Sequence, residues 1–213
     1  MIVFELTNTE DHPIYRELEA SNGSRQYDFL RSMVLAAVQA QQVWLSQQII
    51  KALNYQAIAC LHTNPGEFRP CPVRVGSYLP PEHFRVQAQM DSFVNLVNSQ
   101  WATTDAVALA SLVLWRLNHI HPFINGNGRT ARAACYFVLC VKAGGWLPGN
   151  RILPELLREN RDEYVEALRA ADASLATGPL DLTLLHRMIE RLLAQQLAEA
   201  GVLVPPAAAP PKQ

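Results

Sequence analysis

The chain has 213 residues, of which 49% are hydrophobic, so it can bury one core and is expected to form a single domain with short additions. Its 18 basic and 19 acidic residues nearly balance, and no run of lysines and arginines indicates a nucleic-acid or acidic-lipid binder. The longest apolar stretch, DAVALASLVLW, is too short to cross a bilayer, and the N-terminus lacks the basic start and apolar run of a signal peptide.

The four cysteines form no Cys-x-x-Cys pair, and Cys135 and Cys140 lie within one apolar helical run, which is typical of small buried thiols. A reducing cytoplasmic compartment is therefore expected. A secreted effector that uses a specialised export route would have the same composition.

The N-terminal third is expected to hold one long helix behind a polar segment. Residues 1–23 are broken by Pro13 and Gly23 and are expected to form a loosely packed lead-in. Apolar residues then recur at helical spacing from Ser24, which can cap a helix, through residue 62, with a bend near Asn54. The stretch TNPGEFRPCPVRVGSYLPP that follows is too rich in proline to be helical. It predicts an irregular, partly extended excursion near residues 66–80, with any strand confined to an edge or hairpin.

Helices are predicted again beyond this excursion. The segment TTDAVALASLVLWRLNHI is apolar on nearly every side, which indicates a helix in the middle of a bundle. A helix from Asn127 is expected to stop at Gly144 and Gly145, and two further helices follow within residues 161–201. Residues 201–213 form a Pro/Ala-rich tail that is expected to be disordered.

The stretch HPFINGNGRTAR, residues 121–132, carries the chemistry. A helix start leaves backbone N–H groups without partners and adds partial positive charge, and glycines at 126 and 128 let an anion approach those groups. Arg129 and Arg132 share one face of the first turns and can add hydrogen bonds to phosphate oxygens. The pattern therefore predicts a site for a di- or triphosphate.

His121 lies just outside this anion site. An imidazole with an ordinary pKa near 6.5 can accept a proton from a hydroxyl at neutral pH. A base beside a bound polyphosphate indicates attack of a hydroxyl on phosphorus, with the arginines and amides stabilising the charge that develops. The Walker pattern of P-loop proteins is missing from the chain.

HPFINGNGRTAR closely resembles the signature of the Fic/Doc family, His-x-Phe-x-(Asp/Glu)-Gly-Asn-Gly-Arg-x-x-Arg, at every fixed position except one. GEFRPCPVRVGSYLPP resembles the family's flap, a short hairpin that aligns a target peptide by adding it as a strand. PELLRENRDEYVEALRAAD resembles the helical segment that helps to form the base pocket. The resemblance implies an all-α Fic-type helical bundle with a short β-hairpin flap, spanning residues 24–200 with its core at about 40–195.

The resemblance also implies an activity, the transfer of AMP from ATP to a Ser, Thr or Tyr hydroxyl of a target protein, with Mg²⁺. The target would dock along the flap near residues 68–78, with no nucleic acid or membrane involved. By position, the implied roles are His121 as general base, Gly126, Asn127 and Gly128 in the anion hole with Asn127 contacting the α-phosphate, Arg129 and Arg132 on the β- and γ-phosphates, and Tyr164 and Asp172 near the base.

Asn125 is the departure, because the family places an Asp or Glu there to bind the metal ion. A neutral carbonyl oxygen is a poorer ligand for a hard cation than a carboxylate. Asn125 can still hold the metal weakly, giving a slow or Mn²⁺-favouring enzyme, or the site can use another nucleotide or phosphate donor. In the third interpretation, catalysis is lost and the fold is a nucleotide-binding module. Kinase-like phosphate transfer, as in the Doc branch, is a further alternative, although that branch has a lysine where this chain has Gly128.

Many members of the family are inhibited by a helix carrying (Ser/Thr)-x-x-x-Glu-(Gly/Asn), whose glutamate pairs with the second motif arginine. The chain has no such stretch, and Glu17 and Glu19 lack the flanking residues. A separate antitoxin-like partner is therefore expected, unless Asn125 already limits the activity.

Overall fold

The computed structural model describes residues 2–41 and 44–202, and the tail predicted to be disordered lies outside them from residue 203 onward. Regular structure in the described residues is helical, which confirms the all-α class. A 3₁₀ turn covers His83–Arg85. The helices are α1 (Val3–Thr7), α2 (Pro13–Gln39), α3 (Gln47–Ile58), α4 (Val86–Ser99), α5 (Ala106–Ile120), α6 (Asn127–Lys142), α7 (Leu153–Glu159), α8 (Arg161–Thr177) and α9 (Thr183–Glu199).

Helices α5 and α6 form the centre of the bundle and pack against each other. Helices α2, α3 and α7 pack against α6, while α4, α8 and α9 pack against α5. The prediction of a helix buried on most sides is confirmed for α5, and α6 is buried almost throughout from Thr130 to Val141. The short connection between these two helices, residues 121–126, is thereby held in the middle of the molecule. Within the described ranges, no helix combines the length and apolar character needed to cross a membrane.

The expected loose lead-in at residues 1–23 is wrong, because α2 begins eleven residues before Ser24. Pro13 occupies the first turn, where its missing N–H costs nothing, and His12 Nδ1 accepts a hydrogen bond from Ile14 N at 3.2 Å. Gly23 lies inside this helix, at a cost of only about 1 kcal/mol relative to alanine. Tyr15 is fully buried, so the segment is part of the packed domain.

The predicted bend near Asn54 is also wrong. Helix α2 ends at Gln39, and α3 begins as a separate helix at Gln47, with Ser46 Oγ accepting from Ile49 N at 3.1 Å. Asn54 remains helical, and its buried amide donates to the carbonyl of Asn125 at 2.9 Å and accepts from Gly66 N at 3.0 Å. It therefore ties α3 to both loops that surround the motif.

The predicted β-hairpin flap is present only as a bridged turn. Val75 and Tyr78 exchange two backbone hydrogen bonds of 3.0 Å around Gly76, and no longer ladder forms within the described residues. The physical reason is the set of prolines that flanks this bridge, each of which lacks the N–H that a ladder requires: Pro70, Pro72, Pro80 and Pro81.

Candidate active site

The start of α6 forms an open anion cradle. Gly126 precedes the helix with φ of 74°, and a Cβ at this position would lie 2.5 Å from Ile58 Cγ2, so only glycine fits. No side chain caps the helix. Gly126 N and Thr130 N find protein acceptors, but the three amides between them, at 127–129, have none among the described residues. These amides and the helix dipole suit a bound anion.

Asn127 lies at this cradle, and its side chain is bound to the loop that precedes the helix. The side chain is 3% exposed, its Oδ1 accepts from Phe123 N at 2.9 Å, and its Nδ2 donates to Phe123 O at 2.8 Å. Both polar groups of the amide are therefore engaged by one residue of the loop. Asn127 therefore braces the loop with its side chain, while its backbone N–H and the second hydrogen of Nδ2 have no acceptor among the described residues.

The two motif arginines differ in their surroundings. Arg129 Nη1 lies 2.9 Å from Glu19 Oε1 and 3.2 Å from the carbonyl oxygen of Ala57, and Arg129 Nη2 donates to Asn125 Oδ1 at 3.0 Å. Arg132 Nε is buried and has no hydrogen-bond partner within the described part of the chain. A buried donor without an acceptor is costly, which suits Arg132 to an anionic ligand.

His121 ends α5 in a left-handed conformation, with φ of 51°, and its backbone N–H donates to Leu117 O at 3.0 Å. Burial lowers the pKa of its imidazole to about 4, with a further lowering by the charge of Arg69, while a hydrogen bond to the backbone of Asn118 acts in the opposite direction. The ring is therefore neutral at pH 7 and can accept a proton.

Two adjoining cavities meet at His121. The larger, of about 960 Å³, is lined by His121, the residues of the cradle and both motif arginines, together with two glutamates from the N-terminal region, Glu10 and Glu19. The second, of about 430 Å³, has lining residues in common with the first, among them His121 and Arg132. Both volumes lie within the range of small-molecule sites. Five arginines line one or both cavities beyond the two of the motif: Arg16, Arg74, Arg158, Arg161 and Arg169.

The residues expected near a nucleobase, Tyr164 and Asp172, both line the smaller cavity. The hydroxyl of Tyr164 accepts from Asn118 Nδ2 at 2.8 Å, and burial raises its pKa to about 12. Asp172 Oδ1 accepts from Trp115 Nε1 at 3.0 Å and lies 2.8 Å from His119 Nδ1. The sequence showed no carboxylate beside His119, because α8 supplies it from a distant position.

Asn125 lies in the larger cavity, with both ends of its amide engaged. Its Oδ1 accepts from Gly126 N at 2.6 Å and from Arg129 Nη2 at 3.0 Å, and its Nδ2 donates to Glu10 Oε1 at 3.0 Å. An oxygen that faces a guanidinium is poorly placed for a cation. Nowhere in the described residues do three or more His, Cys, Asp or Glu side chains form a group that could hold a metal ion.

The contribution of the N-terminal region was missed by the sequence reasoning. Glu19 lacks the flanking residues of the inhibitory motif, yet it forms an ion pair with Arg129. Glu10 lies against Asn125, and Tyr15 OH contacts His62 Nε2 at 2.8 Å beside it. No local pattern announces these contacts, since they depend on α2 packing across α3 and α6.

Arg69 joins the flap to the loop that carries His121, and this contact too was unforeseen. Its backbone N–H donates to Pro122 O and its Nε to His121 O, both at 2.8 Å. Its two other nitrogens donate to the carbonyls of Cys71, at 3.1 Å, and Pro81. The side chain is buried, so the guanidinium closes the base of the 71–81 loop and fixes it against His121.

Known proteins resemble this chain in sequence and in fold. A sequence model of the Fic/DOC family matches residues 44–139. The protein adenylyltransferase Fic of Drosophila willistoni is 35% identical over 115 residues, which cover 52% of this chain and 22% of that protein. The chain thus spans about a fifth of the length of the curated relatives it matches.

Solved structures share the fold. Fic-1 from C. elegans superposes with a TM-score of 0.70 and 22% identity, covering 93% of this chain and 56% of that one. A Fic domain containing signaling protein from Bacteroides thetaiotaomicron superposes with a TM-score of 0.64 and 22% identity, covering 86% of this chain and 74% of that one.

Proposed function

The chain belongs to the Fic/DOC family, and we propose that it transfers AMP from ATP to a Ser, Thr or Tyr hydroxyl of a target protein. One observation carries the proposal: a neutral imidazole, a helix start with uncovered amides and an arginine with an unsatisfied donor surround one cavity. That combination suits a polyphosphate next to a base.

In the proposed reaction, His121 takes the proton of the target hydroxyl while the hydroxyl oxygen attacks the α-phosphorus. The new P–O bond forms as the bond to the β-phosphate oxygen breaks, and pyrophosphate leaves. The amides at the start of α6 stabilise charge on the α-phosphate, and Arg132 and Arg129 neutralise the leaving group. Arg129 must exchange its contact with Glu19 for a phosphate to take this part.

The smaller cavity is the proposed seat of the nucleoside, because it opens from the larger one at His121 and Arg132. Trp115, Tyr164 and Asp172 give it aromatic walls and one carboxylate. The target chain is proposed to lie along residues 68–78, whose Val75 borders both cavities. Only one bridge of backbone hydrogen bonds is present there, so we expect few main-chain contacts to the target and a larger part for its side chains.

The family implies Mg²⁺ or Mn²⁺ with the nucleotide, where a bound metal would neutralise phosphate charge. Asn125, at the position where the family has its acidic ligand, does not fit this requirement, because its oxygen already accepts from Gly126 N and Arg129. The proposed reaction therefore uses only side chains and backbone amides of the chain itself.

The same observation favours a second candidate, a nucleotide-binding module of this fold with weak or no catalysis. Such a protein would keep the cradle and Arg132 but would lack sufficient charge neutralisation for transfer. A binding module would bind the nucleotide as tightly as the enzyme does, but it would not transfer AMP to a target.

Intact-mass spectrometry after incubation with each nucleoside triphosphate and Mg²⁺ or Mn²⁺ tests the proposal. We expect the protein, or a target protein in a lysate, to gain the mass of one AMP group with ATP. His121→Ala should abolish this gain and keep nucleotide binding by calorimetry, while Arg132→Ala should weaken the binding itself.

Nucleotide binding without any mass gain, in the wild type and in Asn125→Asp alike, would support the binding module. Absence of binding to every common nucleotide would contradict both candidates.

A further inference from the structure

Positive charge is concentrated where the two cavities meet. The residues that border both cavities form this junction, and they are Val75, His121, Arg132, Arg158 and Arg161. Three of these five residues are arginines, and none is an acid. The carboxylates that line the cavities each border only one of them. The junction therefore presents guanidinium groups beside the proposed base.

No carboxylate neutralises the arginines of the junction within the described residues. The cavity-lining acids have other partners: Arg129 for Glu19, Asn125 for Glu10, the backbone N–H of Ile152 for Glu155, and His119 for Asp172. The guanidinium groups of Arg132, Arg158 and Arg161 thus lie near one another without an acid between them. Like charges so arranged repel one another, and a bound anion would relieve that repulsion.

Arg158 and Arg161 lie on either side of one short turn. Arg158 is in the last turn of α7, and Arg161 is the first residue of α8. A helix start carries partial positive charge and favours acidic side chains, so an arginine in that place is electrostatically unfavourable without an anion nearby. Both side chains are exposed, so burial in the core does not account for their position either. Binding of an anion does.

Arg132 connects the junction to the anion cradle. A Cβ added to Gly128 would lie 3.3 Å from Arg132 Nη1, so this guanidinium reaches back to the start of α6. Its Nε is buried and has no hydrogen-bond partner among the described residues. One cavity contains both the cradle and the junction. A phosphate chain that begins on the amides of residues 127–129 can therefore extend past Arg132 towards Arg158 and Arg161.

The charge of the ligand indicates what the two further arginines do. A triphosphate without a metal ion carries about four negative charges near neutral pH, and a divalent cation would offset about two of them. The oxygen of Asn125, at the position of the family's acidic ligand, accepts from Gly126 N and Arg129 and does not suit a cation. Arg158 and Arg161 together carry the same positive charge as one such ion.

We propose that Arg158 and Arg161 bind the phosphates beside Arg132 and supply the positive charge that a divalent cation supplies elsewhere in the family, so that the protein binds its nucleotide as the metal-free anion. The inference rests on the proposed nucleotide site. It adds two residues outside the motif to that site, and it accounts for an amide at position 125.

Calorimetry on the full chain tests the inference with an ATP analogue that has a methylene bridge between the α- and β-phosphorus atoms. We expect the wild type to bind this analogue at least as tightly in EDTA as in Mg²⁺. Arg158→Gln and Arg161→Gln should each weaken binding in EDTA about tenfold, because each removes a charged hydrogen bond to phosphate. Both side chains are exposed, so both variants should fold like the wild type.

The response to Mg²⁺ distinguishes lost charge from general damage to the site. With Arg158→Gln and Arg161→Gln combined, the analogue should bind more tightly in Mg²⁺ than in EDTA, because the ion then restores the missing positive charge. Arg187→Gln is the matched control, since this exposed arginine of α9 borders neither cavity. It makes the same change in net charge and should leave the affinity unchanged.

The contrary outcomes are separable. Wild-type binding that is more than about tenfold tighter in Mg²⁺ than in EDTA would overturn the inference and leave the proposed function standing. Unchanged affinity in both single variants, together with a loss in Arg132→Ala, would overturn it in the same way. Absence of analogue binding both in EDTA and in Mg²⁺ would contradict the proposed nucleotide site itself.

Discussion

The proposed chemistry depends on His121, and the burial of its imidazole leads to a prediction about how activity varies with pH. Burial and the charge of Arg69 lower the pKa of the imidazole to about 4, so the neutral form persists well below the ordinary value near 6.5. Because the base works when neutral, activity is present above the lowered pKa and is lost as pH falls through it. We expect kcat/KM for transfer to stay level from pH 8 to about pH 5.5.

The measurement is the pH profile of kcat/KM, which reports groups of the free enzyme. His121→Ala provides the background at each pH. An acid limb centred near the ordinary histidine value would contradict the buried, neutral ring that the structure describes.

The side chain of Asn127 makes a structural contact that the motif did not predict. A sequence pattern identifies an asparagine next to the anion cradle, but it does not show which way the side chain points. The backbone of Phe123 bonds to both ends of the amide, so the side chain of Asn127 stabilises the loop. The side chain of Asn127 reaches Phe123 because the tight turn between α5 and α6 brings the two residues within one helical turn of each other.

Arg69 is the side chain that joins the flap to the loop carrying His121. Arg69 donates to three backbone carbonyls, on His121, Cys71 and Pro81, and these oxygens take the place of a carboxylate in compensating a buried charge. Arg69→Lys keeps the charge but loses the planar fork that reaches all three. We expect this change to lower the free energy of unfolding by about 2–4 kcal/mol, since two charged hydrogen bonds are lost.

The Arg69→Lys change should impair transfer to a protein target more than it impairs nucleotide binding. Nucleotide affinity by calorimetry should change less than about twofold in Arg69→Lys, while transfer to a protein target falls about tenfold, which is roughly 1.4 kcal/mol. Urea unfolding and target labelling measure the two effects, with Arg85→Lys as an exposed control. Equal losses of nucleotide affinity and transfer would show that Arg69 supports the whole site and not the flap.

Helix α9 is anchored to the core by the polar side chain of Gln196. Gln196 is fully buried, and its Oε1 accepts from Leu153 N at 2.7 Å. Its Nε2 donates to the Tyr136 hydroxyl at 2.7 Å and to Pro148 O at 2.9 Å. One amide therefore joins α6, α7 and α9 with all its contacts made.

Replacing this amide by an apolar side chain of similar size leaves buried partners without hydrogen bonds. We expect Gln196→Leu to lower the free energy of unfolding by about 2–4 kcal/mol in urea titrations, since each unsatisfied buried group costs about 1–3 kcal/mol. Gln195→Leu, on the neighbouring, partly exposed position, should change it by less than about 0.5 kcal/mol. Similar losses in both variants would mean that the helix tolerates no change here for reasons other than the buried amide.

The all-α class, the central helices and the anion cradle could all be predicted from the order of residues alone. The cradle is built from consecutive residues, 121–132, so the spacing of glycines, arginines and the histidine carries its chemistry without reference to the rest of the chain. The apolar character of α5 likewise requires it to lie inside, wherever the other helices go.

The surroundings of the cradle could not be predicted in this way, because they depend on how distant segments pack together. The early start of α2, the approach of Glu10 and Glu19 to Asn125 and Arg129, and the closure of the flap by Arg69 all join residues far apart in the chain. Prolines on both sides of the Val75–Tyr78 bridge prevent the longer hairpin that the sequence pattern predicted. Such contacts depend on how helices pack, and packing is selected by the summed burial of many side chains, which no local spacing records.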